Sequence, residues 1–313
     1  MGNFLLRRLA LAIPTLILAM TAVFVLARIV PGDPALVILG DQASQEALAA
    51  LRDKLGLDRA LHVQYFDFLG GILRGDLGRS LVTDKSVWAE VLAVIPYTIE
   101  LTLAAILLGV LFGVPLGVYA AVHRNALPDT LTRLFSLAGL SFPAFVSAIL
   151  LLLVFAIQLN WFPVISAPKV DDPLDRLRHL ALPAFNLGLI MTAYVTRVTR
   201  SSMLNVLGED YVRTARAKGI GASAVLWRHA LRNALIPVAT VVGLYLGTMI
   251  GNSVLTEIVF NRPGLGKLIL GALNQRDYTL LQGLMVFFAG IIVFANAATD
   301  VAYGLIDPRV TYK

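Results

Sequence analysis

Four charged residues stand inside or at the edges of long apolar runs: Arg28, Glu100, Glu257 and Asp300. Carrying a charge into hydrocarbon costs about 2.5–3.5 kcal/mol on insertion scales, so each requires water, a partner or a pathway. Arg28 ends one run and Glu100 begins the next, within reach of headgroups or water. Glu257 follows Asn252 and Thr256 on the outer half of its run, a polar grouping suited to a water-filled pathway. Asp300, one turn after Asn296, fits interhelical hydrogen bonding. If Glu100, Glu257 and Asp300 instead relay protons, the chain works alone as a proton-coupled secondary transporter.

Chemistry beyond charge is sparse. Gly264-Leu265-Gly266-Lys267-Leu268 looks superficially like a phosphate loop, but Asn261 stands where the first glycine belongs and Leu268 where Ser or Thr must follow the lysine. No ATP hydrolysis is expected of this chain. His62, His123, His179 and His229 are far apart in sequence and no HExxH pair exists, so no metal site is expected. The absence of cysteine excludes disulfides, thiolate metal sites and cysteine nucleophiles. No Gly-x-Ser-x-Gly elbow is present, and no cofactor is expected to bind here.

The densest patterning lies between Glu209 and Pro237. Glu209 and Asp210 put negative charge where a helix N-terminus favours it, and Gly219 supplies a C-terminal stop after about ten residues, roughly 15 Å of helix. Within it, Arg213, Thr214, Ala215, Arg216, Ala217 and Lys218 mix small side chains that permit close approach with basic ones that stay solvated. Such a helix suits a cleft in another protein; a plain solvated helix is the alternative.

Composition explains what must position these residues. Mean hydropathy is +0.77, 58% of residues are hydrophobic and 15% charged, the profile of a polytopic membrane protein. The class expected is all-α, a single transmembrane domain over 1–313. Six spans are predicted, at about 9–30, 99–122, 134–159, 180–198, 235–260 and 280–306. Arg7 and Arg8 precede an apolar run longer than the about 7–15 residues of a secretory signal, which predicts a retained anchor.

Charge orients the spans, since basic loops resist translocation. Loop 199–234 holds six Lys/Arg against Glu209 and Asp210 and is expected in the cytoplasm. Loop 160–179 balances Lys169, Arg176 and Arg178 against Asp171, Asp172 and Asp175, as a translocated segment can. Both termini are then cytoplasmic, and the net charge of +6 is a topology signal that calls for no nucleic acid. The outside loop 31–95 carries nine acids against six bases. It predicts one helix capped by Ser44, burying Leu48, Leu51 and Leu55 before Gly56, and a second over about 61–73. Another outside segment, 260–278, turns at Arg262-Pro263-Gly264-Leu265-Gly266 and predicts a short helix before Arg276 and Asp277. Glycines at 109, 113 and 117, and at 243, 247 and 251, mark faces for close helix contact.

The segment RTARAKG, followed by RHALRNALIP, is similar to the coupling loop of ABC importer permeases, in which Glu-Ala-Ala, three residues, Gly, nine residues and Ile-x-Leu-Pro recur. Here Arg213-Thr214-Ala215 replace Glu-Ala-Ala, and His229 and Arg232 replace the Ile and Pro. These departures resemble the dipeptide, oligopeptide and nickel branch. So do Arg7-Arg8 with Val30-Pro31-Gly32-Asp33-Pro34, Gly75-Asp76-Leu77-Gly78-Arg79-Ser80, FNRPGLGKLILGALNQRDY at 260–278, and Leu305-Ile306-Asp307-Pro308-Arg309. The resemblance implies a type I permease fold in a bacterial inner membrane, with dipeptides, oligopeptides, glutathione or nickel as cargo. It implies a second, related permease, two ATPase subunits that use ATP and Mg, an external solute-binding protein and surrounding lipid as partners. It assigns Glu209 to Gly219 to ATPase coupling and suggests an external gate at Arg262, Pro263, Gly264, Gly266 and Asp277.

Overall fold

The computed structural model describes residues 2–29, 34–40, 43–54, 56–166 and 172–306. Residues 30–33, 55, 169, 171 and 307–309, singled out above, lie outside that set, as do the side chains of Arg7, Arg8, Pro34 and Asp300. Among the described residues the chain is helical, without strands; one isolated antiparallel bridge joins Arg79 and Ser86. Two compact units form, Met1–Pro96 with Pro263–Phe294, and Tyr97–Arg262 with Ala295–Lys313.

The first unit contains α1 (Gly2–Ile29), α2 (Pro34–Leu39), α3 (Gln45–Lys54) and α4 (Leu61–Leu73). It also holds the beginning of α5 (Val87–Val122), then α12 (Leu265–Asn274) and most of α13 (Tyr278–Ile306). Helix α3 starts where its cap predicts: the Ser44 hydroxyl accepts the Ala47 N–H at 3.2 Å, and Leu48 is buried. Helix α4 packs on α1 through the edge-on rings of Phe24 and Tyr65, 5.3 Å apart. Arg28, expected to reach headgroups or water, stays exposed while donating Nε and Nη2 to Gln64 Oε1 at 3.0 and 2.9 Å. The core gathers Val87, Val91, Leu265, Ala272, Leu280 and Leu284.

The second unit contains the rest of α5, then α6 (Leu127–Ser141) and α7 (Ala144–Leu151), which runs into a π-helical turn, Leu152–Gln158. There follow α8 (Pro173–Leu207), α9 (Asp210–Ala217), α10 (Ala222–Ala224) with a second π-helical turn, Val225–Ala230, α11 (Leu231–Val259) and the end of α13. Its main core joins α5, α8 and α11 through Val118, Met191, Val195, Val238 and Met249. The glycine face of α5 explains how α8 comes so near: a Cβ at Gly109, Gly113 or Gly117 would lie 2.2 Å from Met191, 2.7 Å from Val195 or 2.6 Å from Thr199. On the opposite face Leu103, Leu107 and Leu111 are exposed, as a lipid-facing stripe would be. The second glycine face is used only in part. Gly243 meets Thr299, whose hydroxyl donates to its carbonyl at 2.8 Å, while a Cβ at Gly251 would meet open space.

Helix lengths refine the predicted spans. Val87–Val122, Pro173–Leu207, Ala222–Val259 and Tyr278–Thr299 are long and apolar enough to cross a bilayer. The span expected at 134–159 is not straight, because α6 and the following helix meet at 104°. Pro143 is the cause. It has no N–H to continue α6 and disfavours helical geometry in Phe142, which sits at φ −81°, ψ 128°. Counted as one, this broken pair makes five, and α1 adds a shorter apolar stretch, Ala12–Leu26.

Candidate functional site

The segment expected to serve in coupling forms the helix its sequence predicts, α9, ended by Gly219 in the left-handed conformation at φ +78°. The Gly219 N–H donates to the Arg216 carbonyl at 3.0 Å and the Ile220 N–H to that of Ala215 at 3.3 Å, so the stop is a Schellman motif. Helix α9 has two faces. Val212 and Ala215 are buried against Val225, with Val206, Leu207 and Ile220 around them. Glu209, Asp210, Arg213, Thr214, Arg216, Ala217, Lys218 and Gly219 are exposed. Ala215, grouped in sequence with the small residues that invite a partner, instead seats the helix on its own loop. Tyr211 and Trp227 broaden the exposed surface, and Asn233 Nδ2 donates to the Tyr211 hydroxyl at 2.7 Å.

A second constellation, partly buried, lies in the same unit. The Glu100 carboxylate accepts Arg176 Nε and Nη2 at 2.9 and 3.2 Å, and Arg262 Nη2 at 2.8 Å. Both guanidiniums lie over Tyr97, 5.6 and 5.7 Å from its ring centre. Glu100 was expected to reach headgroups or water; its oxygens are engaged by two arginines because α8 and the end of α11 converge on the α5 turn carrying it. Arg262, read in sequence as part of a turn, has a fully buried side chain. Sequence reasoning missed this triad, whose members are separated by 76 and 162 residues, so that no local pattern announces it.

The polar grouping on α11 is interior too. Glu257 is fully buried, and Thr98 Oγ1 donates to its Oε1 at 2.6 Å. Thr256 accepts Asn186 Nδ2 at 3.3 Å and bonds back to the Asn252 carbonyl; Asn186 in turn accepts the Ser147 hydroxyl at 2.7 Å. Asn252 is half-buried. These bonds tie α5, α7, α8 and α11 together by polar side chains, the usual means of joining helices in a medium without water.

In the first unit the predicted short helix is α12, and Gly264 and Gly266 at its start are buried while Pro263 is half-buried. Asp277 is buried and caps α13, its Oδ1 accepting the Leu280 N–H at 3.0 Å and its Oδ2 the Ser80 hydroxyl at 2.6 Å. One carboxylate therefore clasps two segments 197 residues apart, the 75–80 turn and the end of 260–278. Ser80 was quoted only within its motif, without a role.

Residues 113–312 match the family described as binding-protein-dependent transport system inner membrane component, and residues 1–102 match the N-terminal family of the same systems. The di/tripeptide transport system permease protein of Pseudomonas aeruginosa is 42% identical over the whole of both chains. The glutathione transport system permease protein of Salmonella typhimurium is 40% identical, again end to end. Among solved structures, an inward-facing methionine ABC transporter superposes with a TM-score of 0.56 at 15% identity, over 69% of this chain and 95% of that one, a likeness of fold. With an all-helical arrangement, apolar helices of membrane-crossing length and end-to-end identity above 30%, the chain belongs to the binding-protein-dependent transport system inner membrane components, the ABC importer permeases of dipeptide and oligopeptide type.

Proposed function

We propose that this chain is one of two related permease subunits of an ATP-driven importer that carries short peptides across a bacterial inner membrane. The names of two relatives agree on the cargo class, since glutathione is itself a tripeptide. Two ATPase subunits supply the hydrolysis and hold the ATP and Mg, an external binding protein delivers cargo, and this chain is non-catalytic. Loop 199–234 faces the cytoplasm with both termini, and 31–95 and 260–278 face outward, as the loop charges favour. Asn252, half-buried, stands on the wall of the pathway with the buried Thr256 and Glu257 bracing it from behind, and the segment from Arg262 to Asp277 gates its outer mouth. ATP binding closes the ATPases on α9 and turns the pathway outward.

The observation that carries this reading is the two-faced α9, locked to its own loop on one side and basic, small and exposed on the other. Its test contrasts the faces. Ala217→Glu adds bulk and charge to the exposed face only, so the permease is expected to reach the membrane with normal thermal stability, yet to co-purify with markedly less ATPase subunit and lose uptake in proteoliposomes. Ala215→Glu buries a charge among Val212 and Val225, so it is expected to destabilise the loop itself. Full ATPase recovery and full uptake with Ala217→Glu would refute the coupling role of that face.

A further inference from the structure

A groove of about 420 Å³ lies between α6 and α8, at the end of the second unit where α8 leads into α9. Three guanidiniums line it, those of Arg133, Arg197 and Arg200. Only one carboxylate answers them. Asp129, fully buried, takes both Nε and Nη2 of Arg200, the latter at 2.8 Å, and meets Arg133 Nε at 3.7 Å. Its oxygens are thus committed to Arg200, Arg133 is held loosely, and Arg197 is exposed without an ion-pair partner among the described residues. The groove therefore keeps a surplus of positive charge.

Two further features say what would neutralise it. Thr196 borders the groove, its hydroxyl buried and without a hydrogen-bond partner among the described residues, and the buried Ser136 stands nearby on α6. The lining beside the arginines is thus polar. The rest of the lining is Thr132 and Ser201 with an apolar strip, Leu137 and Leu140, and Leu137 is exposed beside Leu134 on the surface of α6. A free anion has no use for that apolar wall. A ligand with an anionic head and a hydrocarbon tail matches both ends, and arginines near the ends of membrane spans sit at headgroup depth.

We propose that this groove seats the phosphodiester of an anionic glycerophospholipid, with Arg133 and Arg197 against the phosphate and an acyl chain along Leu137 and Leu140. The inference takes from the proposed function only the side of the membrane, which makes the lipid one of the cytoplasmic leaflet. Bound there, it would fill the seam between α6 and α8 beside the coupling loop.

The test uses the assembled transporter in nanodiscs of equal phosphatidylglycerol and phosphatidylcholine, with retained lipids counted by native mass spectrometry after release. The wild type is expected to retain phosphatidylglycerol in preference, and the preference to fall about fivefold for each arginine removed in Arg133→Gln and Arg197→Gln. The paired Arg→Lys variant, which keeps the charge, is expected to hold the preference, separating lost charge from lost structure. Equal retention of the two lipids by the wild type, an unchanged preference in the paired glutamine variant, or a lysine pair that behaves like the glutamine pair would each overturn the proposal. Displacement of phosphatidylglycerol by equimolar inorganic phosphate would also overturn it, assigning the groove to a free anion. Lipid retention is read without cargo, ATP or uptake, so failure here leaves the transport reading intact and failure of uptake leaves this one intact.

Discussion

Arg262 is a charge with no exposed side-chain surface, held by one bond to Glu100, while its Nε and Nη1 have no partner among the described residues. The carboxylates of Glu100 and Glu257 lie near enough to offset part of the cost of burying that charge. Removing a partner from a buried pair typically costs about 3–5 kcal/mol, most of it from the charge left behind. Glu100 is 24% exposed, which places Glu100→Gln near the low end of that range. A clear drop in melting temperature of the detergent-purified transporter is expected for Glu100→Gln, and substantial recovery when Arg262→Gln is added. Equal melting of the single and double variants would show that the pair is not what holds these helices. The same scale distinguishes Ala215 from Ala217: two residues apart on a short helix, one is an internal contact and the other is available to a partner.

At the scale of elements, close approach governs the α5–α8 seam. A Cβ on Gly117 would lie 2.7 Å from the Thr196 carbonyl and 3.0 Å from the Arg200 nitrogen, both backbone atoms that cannot rotate away. Gly117→Ala must therefore push the helices apart, and it is expected to destabilise the folded permease by about 1–3 kcal/mol, as overpacking does. The greater helix propensity of alanine would offset about 1 kcal/mol of that. Gly251→Ala is the control, since a Cβ there meets nothing within 4 Å. Thermal melting of both variants checks the difference, and equal melting would deny the seam its tightness. The glycine spacing in the sequence foretold both faces alike. Only the position of α8 and Thr299 says which glycines are used.

For the whole molecule, charge in the loops predicts orientation, and a chain without cysteine is a clean background for testing it. Single cysteines at Gln45, Leu174 and Gly221 stand at exposed positions and spare the capping side chains of Ser44 and Asp172. With an impermeant thiol reagent on intact spheroplasts, Gln45→Cys and Leu174→Cys are expected to label and Gly221→Cys to remain unlabelled until the membrane is opened. Labelling of Gly221→Cys in intact spheroplasts would reverse the topology.

Much of the architecture was legible because its causes are local. Ser44 begins α3, Gly219 ends α9, and hydropathy marks the membrane helices, while the break that Pro143 makes in the span expected at 134–159 was equally local and was not read. The motifs that identify the family are read in the same way, as fixed spacings along the chain. What the tertiary structure alone decided concerns partners distant in sequence. Glu100 with Arg176 and Arg262, Ser80 with Asp277, Asn186 with Thr256, and the buried side of Ala215 all depend on which helix faces which. In a chain rich in apolar residues on every face, hydrophobic periodicity says little about facing, because lipid and neighbouring helices accept the same side chains. The burial of polar groups decides it, because a buried polar group is stabilised by a partner inside the fold, and such partners lie as many as 197 residues away.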